Sequence, residues 1–198
     1  MYAVSRKSVA AICIVWLSFA CDRAVVGQAA HDTQARPAKW ATPLTRPGLS
    51  NLFKVSNDLY RGAQPDENGF AELSKLGIKT VVSLRAIHSE REEMDKSSMA
   101  YRHIKFSPFH PEQEDVVAFL KIMADPDKRP VFVHCKHGSD RTGTMTAFYR
   151  IVFQGWTKEE AIREMKEGGY GFHSIWKNLI KFIRKSDIEK IKKASGMK

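Results

Sequence analysis

The run Val131-Phe132-Val133-His134-Cys135-Lys136-His137-Gly138-Ser139-Asp140-Arg141-Thr142-Gly143 constrains this chain more than any other. Val131 to His134 reads as a short buried strand, and the small-residue stretch from Thr142 through Phe148 reads as a helix. A strand that passes through five residues into a helix aims successive backbone N–H groups into one concavity. The positive end of the helix dipole adds to their field, so the turn cradles an anion. Cys135 at its mouth would have its thiolate stabilised. Arg141 closes the ring with a fork that holds two oxygens of a phosphate. The pattern aims a nucleophile at phosphorus.

A bare Cys-x5-Arg arises by chance, so the flanking His134, Gly138, Thr142 and Gly143 carry the weight. A purely structural cysteine would leave Arg141 unexplained, because arginine is rarely buried without a partner. Gly138 to Thr144 echoes a nucleotide-binding loop, but threonine stands where that motif has lysine. A metal site from His134, Cys135 and His137 lacks a second Cys/His cluster, and a metal would occupy the thiolate. The expectation is therefore no metal and no other cofactor.

The His-Cys-x5-Arg-Thr run resembles the signature of the cysteine-dependent protein tyrosine and dual-specificity phosphatases. With Tyr149-Arg150-Ile151-Val152 and Gln154-Gly155-Trp156 behind it, the stretch is similar to the TpbA-like, periplasmic bacterial group of dual-specificity phosphatases. Leu59-Tyr60-Arg61-Gly62-Ala63-Gln64-Pro65 and the stretch from Gly77 to Arg85 resemble the opening strands of that group. The likeness runs from about Asn51 to Ile183, and within it only the cysteine loop is specific to the chemistry.

The chain divides into three parts. Arg6-Lys7, an apolar run from Val9 to Ala20 and the small residues near Gly27-Gln28-Ala29 read as a signal peptide over 1–30. An uncleaved anchor, or a lipid-bearing Cys21, is the alternative, and would tether the protein to a membrane. Residues 31–50 read as a linker or extended lead-in, and 51–198 as the catalytic domain. Of the three cysteines, Cys13 and Cys21 fall in or beside the leader. A mature chain then keeps Cys135 alone, with no disulfide partner to trap it in an oxidising compartment. The expected location is the periplasm.

Periodicity predicts strands over Asp58–Arg61, Ile78–Leu84 and His103–Phe106, and helices over Pro65–Leu76 and Glu112–Met123. Capping boxes are read at Thr157-Lys158-Glu159-Glu160 and at Ser186-Asp187-Ile188-Glu189. Strands alternating with helices give an α/β fold, a phosphatase-type sandwich with a central, mostly parallel twisted sheet flanked by helices. The cysteine loop would sit at the carboxyl end of a central strand.

The resemblance implies the roles. Cys135 attacks phosphorus and forms a thiophosphate intermediate. Backbone N–H groups of Lys136, His137, Gly138, Ser139, Asp140 and Arg141, with the Arg141 guanidinium, hold the phosphate oxygens. Thr142 offers its hydroxyl to the thiolate, and His134 orients the loop. Asp140 disfavours an anion and is read as pointing away. The family's general acid is an aspartate on a loop before the cysteine strand, and matching that pattern puts Glu112 in its place, with Glu114 and Asp115 as competitors and His110 an outsider. Arg85 is read as a surface salt-bridge partner. Phe109, Tyr170 and Phe172 are read as packing aromatics, with a phosphotyrosine pocket as their alternative use.

The formal net charge of +10, dense in lysine between Lys177 and Lys193, steers anionic phosphomonoesters toward the cradle. No nucleic-acid-binding motif accompanies it. Expected partners are a phosphorylated protein or another phosphomonoester, and peripherally a membrane. Three readings stand: an exported phosphatase acting on phosphotyrosine, alone or together with phosphoserine and phosphothreonine esters, an inositol-phosphate or phosphoinositide phosphatase, and a phosphate-binding module of weak turnover.

Overall fold

The structure, a computed structural model, describes residues 36–87 and 98–197. The expected leader, with Cys13 and Cys21, lies outside the described residues. Strands β1 (Thr42–Pro43), β2 (Phe53–Lys54), β3 (Leu59–Gly62), β4 (Thr80–Ser83), β5 (Ala100–His103) and β6 (Val131–His134) form one sheet of order β1-β2-β3-β6-β4-β5. β1, β2 and β3 pair antiparallel, while β3, β6, β4 and β5 run parallel. Around the sheet lie α1 (Glu67–Lys75), α2 (Gln113–Ala124), α3 (Asp140–Gln154), α4 (Lys158–Glu167), α5 (Lys177–Lys185) and α6 (Ile188–Ala194). This is the helix-flanked, mostly parallel α/β sandwich that the sequence predicts.

Strands covered on both faces read as continuous apolar runs. Val131, Phe132, Val133, Val81 and Val82 are all fully buried. Their alternation divides two cores: Val131, Val133, Val82 and Leu59 pack with α2, α3 and α4, whereas Phe132, Val81 and Tyr60 pack with Phe70 and Leu73 of α1. β6 lies between β3 and β4, so its carboxyl end opens at the middle of the sheet. Because β5 and β6 are parallel members of one sheet, α2 between them returns against the strands, and its N-terminus reaches that same edge.

Three expectations shift. The strand predicted over His103–Phe106 is β5 at Ala100–His103. Its ladder with β4 ends at Ser83↔His103. Ile104 still donates its N–H to Ser83 O (2.9 Å) just past the ladder, and Phe106 carries the apolar signal because it is buried as the chain leaves the edge. The lead-in expected over 31–50 is packed from Arg36 onward. Trp40, Ala41 and Leu49 are buried, and Thr42–Pro43 forms the edge strand, where a missing N–H does no harm. The second capping box is not formed by Ser186: Asp187 caps α6 by accepting from Lys190 N, while Ser186 ends α5 and donates to Phe182 O. The box at Thr157 and Glu160 is complete.

Candidate active site

The loop from Cys135 to Ser139 is held from behind. Gly138 takes a left-handed φ of 72°, and a Cβ there would fall 2.4–2.6 Å from the backbone of Gly62 and Ala63. Its neighbours' carbonyls all have partners: Leu84 N donates to His134 O (2.9 Å), Gln64 N to Lys136 O (3.4 Å) and Asn51 Nδ2 to His137 O (2.9 Å). Arg61 donates to Gly138 O (2.6 Å) and Ser139 O (3.3 Å). Carbonyls pulled back turn the intervening N–H groups the other way. Among the described residues, the backbone N–H groups of Lys136, His137, Gly138 and Ser139 donate no hydrogen bond. Ser139 is the N-cap of α3 yet does not cap it, because its hydroxyl donates to Tyr170 O (2.7 Å). The first-turn amides of α3 therefore also lack a side-chain cap.

Cys135 sits at the head of this ring, 3% exposed and free of any disulfide. Arg141 is on the first turn of α3, and its Nη1 donates to Leu84 O (3.1 Å), which anchors the guanidinium at the end of β4. Thr142 is fully buried, and its hydroxyl has no hydrogen-bond partner among the described residues. His134 is fully buried, stacked on Phe132 with ring centres 5.7 Å apart, with Nδ1 3.4 Å from Cys135 O. Lys136 and His137 are exposed at the rim. The Asp140 carboxylate accepts from His173 N and Nδ1, each at 2.8 Å, so its charge is taken up by the 169–173 segment. Such a ring can hold a tetrahedral dianion over a sulfur nucleophile.

The candidate acids lie on the segment leading into α2. Glu112 is the N-cap of α2 but makes no side-chain cap bond, and it is exposed, as is Glu114. Asp115 is half-buried, and its pKa is raised by burial first and then by the charges of Glu112 and Glu114. His110 is exposed, with its N–H 3.4 Å from Ser107 Oγ. Asn178 Nδ2 ties this segment to α5 through Pro108 O (2.6 Å), and Phe109, 71% exposed, meets Trp176 edge-on at 5.0 Å. Arg85 donates to the side chain of Gln64 and is thereby turned to the Gln64 that also holds the cysteine loop. Tyr170 is buried and Phe172 partly buried against the core, so both are packing residues.

Three residues of the site, Asn51, Arg61 and His173, have roles that the sequence reading does not give them. Asn51, at a left-handed φ of 54°, bridges His137 O and Tyr170 O. Arg61 lies under the loop, Tyr170 lies under Arg61, and His173 holds Asp140. Arg61 left one sequence signal: it alternates with Leu59 on a short strand whose four residues are all buried. Asn51, His137, Ser139, Gly169, Tyr170, Gly171 and His173 also line an open cleft of about 400 Å³ beside the loop.

Residues 45–181 match the family model described as a DSP-PTPase phosphatase fused to NAD+ kinase. The dual specificity protein phosphatase TpbA of Pseudomonas aeruginosa is 33% identical over 172 residues, which cover 84% of this chain and 75% of that protein. Its crystal structure superposes with a TM-score of 0.72 at 31% identity, covering 81% of this chain and 99% of that one. A variant of the same protein solved in complex with pTyr gives a TM-score of 0.72 at 30% identity, covering 81% and 98%. An inositol diphosphatase of Arabidopsis thaliana is 26% identical over 127 residues, 59% of this chain and 61% of that protein.

Proposed function

Since the chain belongs to the DSP-PTPase family of dual-specificity and tyrosine phosphatases, we propose that it is an exported enzyme whose substrate is a phosphotyrosine monoester. The observation that carries the chemistry is the ring of undonated N–H groups around Cys135, with every facing carbonyl tied behind it. The likeness to a protein solved with pTyr supports the substrate class. The leader-like pattern of residues 1–30, and a catalytic domain whose single cysteine is Cys135, support export.

In the first step the Cys135 sulfur forms a bond to phosphorus as the ester P–O bond breaks, and the leaving oxygen takes a proton from a carboxylic acid. Amides of Lys136 to Arg141 and the Arg141 fork hold the three equatorial oxygens, whose charge is the main term the site must stabilise. In the second step water attacks phosphorus, the S–P bond breaks, and the carboxylate takes the water's proton. The Thr142 hydroxyl, buried and unspent among the described residues, is available to the departing thiolate. Glu112 is the proposed acid, because among the described residues its side chain stands unbonded at the sheet's carboxyl edge; the raised pKa of Asp115 supports that residue as the alternative.

The test is phosphate release by the fragment 36–198 from a phosphotyrosine peptide, a phosphoserine peptide and an inositol pyrophosphate, with and without chelator. Fastest turnover on phosphotyrosine, unaffected by chelator, is the expected result. A preference for the inositol pyrophosphate would replace the substrate reading and keep the mechanism. Fractionation of cells making the full chain tests export, with the protein expected in the periplasm.

A further inference from the structure

Arg61 is the largest fully buried side chain described, 1% exposed, and it is a cation. Such a group is held inside a protein only against a strong penalty unless an anion or several oriented dipoles face it. Among the described residues no carboxylate bonds it. Its guanidinium donates to Gly138 O and Ser139 O, lies 3.7 Å from the centre of the Tyr170 ring, and leaves Nε without a partner. The groups whose charges act on it are Tyr170, Glu164, Cys135 and Arg150. Glu164 is already spent on Arg150, on the Tyr170 hydroxyl and on Ala41 N. What faces the fork directly is the pair of loop carbonyls, Gly138 O and Ser139 O.

We propose that Arg61 is a positioning residue for the phosphatase reaction: its fork pulls the Gly138 and Ser139 carbonyls back so that the loop's N–H groups face the phosphate. This rests on the phosphatase reading and adds a second arginine to it, behind the loop rather than over the substrate. Burial lowers the Arg61 pKa to about 10, which still leaves a full cation at neutral pH. The fold delivers it for a reason visible in the register. Arg61 pairs with Val133, two residues before Cys135, and Gly138 sits so close on the strand end that a Cβ there would fall 2.4–2.6 Å from the backbone of Gly62 and Ala63. Gly143 on α3 keeps the other side open, because a Cβ there would already fall 2.7 Å from Met165 and 3.9 Å from Arg61 Nη2.

Two substitutions separate the parts. Arg61→Lys keeps a charge but loses the planar fork. Arg61→Met loses both. The readouts are vanadate affinity and kcat on p-nitrophenyl phosphate, with the melting temperature as the check on folding. Arg61→Lys is expected to weaken vanadate binding and to lower kcat about tenfold each. Arg61→Met is expected to lose about 100-fold in both at an unchanged fold. A folded Arg61→Met with wild-type vanadate affinity and kcat would overturn the proposal. If that variant does not fold, a folded Arg61→Lys with wild-type affinity and kcat overturns it equally. If neither folds, the Arg61 Nε–H resonance of the isotope-labelled wild type decides: a shift on vanadate binding supports the role, and none refutes it. Should the wild type bind vanadate yet fail on every ester, the phosphatase reading falls, while the vanadate arm still judges Arg61.

Discussion

The cysteine loop and the acid-bearing segment meet at one edge of the sheet and are built in opposite ways. From His134 to Ser139 every carbonyl is tied: to Leu84 N, to Gln64 N, to the Asn51 side chain and to the Arg61 fork, with His134 Nδ1 on the Cys135 oxygen. From Ile104 to Pro111 the hydrogen bonds among the described residues are Ile104 N to Ser83 O, Phe106 N to Ile104 O, His110 N to Ser107 Oγ and Asn178 to Pro108 O. The proposed phosphate cradle is thus formed before substrate arrives, so no reorganisation is required when charge develops on phosphorus. The proposed proton donor stands on a lightly tied stretch, where a carboxyl can approach leaving groups of different size. Rigidity is placed where charge must be held, and slack where a proton must reach.

The largest effects fall on the rigid half. Cys135→Ser removes the sulfur nucleophile and should lower kcat by about four orders of magnitude or more while leaving vanadate binding measurable. Arg141→Lys replaces a two-pronged donor anchored on Leu84 O by a point charge, and should cost roughly 100- to 1000-fold. Steady-state rates with p-nitrophenyl phosphate read both. An Arg141→Lys enzyme within a few-fold of wild type would mean that the amides alone hold the oxygens, and that the cradle is less dependent on its fork than the geometry implies.

The next effect is structural and comes from the rear of the same half. Glu164 and Arg150 are 2% and 3% exposed and joined by two hydrogen bonds of 2.7–2.8 Å, and Glu164 also supports the Tyr170 on which Arg61 lies. Removing one partner of such a buried pair leaves the other uncompensated, at a cost of about 3–5 kcal/mol. Glu164→Gln should therefore lower the melting temperature by roughly 6–20 °C, at about 2–4 °C per kcal/mol for a domain of this size. An unchanged melt would show that the network behind the loop is slack, and the contrast between the two regions would weaken.

On the lightly tied half the effects should depend on substrate. Glu112→Gln removes the proposed acid and should slow hydrolysis of phosphotyrosine by about 100-fold. p-Nitrophenyl phosphate, whose leaving group needs less help from a proton, should slow much less. Asp115→Asn run beside it identifies the donor: whichever substitution shows the larger difference between the two substrates carries the acid. Equal, small effects for both would move the proton donor elsewhere on the segment.

What the sequence disclosed follows the same division. The cysteine site was legible because strand, loop, helix start, Cys135, Arg141 and Thr142 are contiguous, so local pattern alone places them. Arg61 and Asn51 were not, since their roles exist only once β3 lies beside β6 and the chain before it folds under the loop. The acid stayed ambiguous because Glu112, Glu114 and Asp115 share one helix turn, and spacing does not say which of three carboxyls is buried. Ile104 and Phe106 misplaced β5 because alternating burial reads the same within the ladder and just past its end. The two-residue strands β1 and β2 are too short for any periodicity to show.

The smallest effect concerns Asp115 and has a definite sign. Its pKa in the folded protein is raised from 3.8, by burial first and then by Glu112 and Glu114. Between 3.8 and that raised value the folded protein holds a proton that the unfolded chain has released, so stability falls as pH rises through the window. Above the window the loss is complete, and it is small because the group is partly exposed. Asp115→Asn removes the loss. Its melting temperature should match wild type at the acid end of the window and exceed it by no more than a few degrees at pH 7. A variant less stable than wild type at pH 7 would mean that the N-terminal dipole of α2 outweighs burial and favours the carboxylate. Because Glu112 contributes to the raised pKa, the gain from Asp115→Asn should shrink in the Glu112→Gln background. A gain of the same size in both backgrounds would mean that the two carboxyls titrate independently, and the acid would then belong to one residue rather than to a coupled pair.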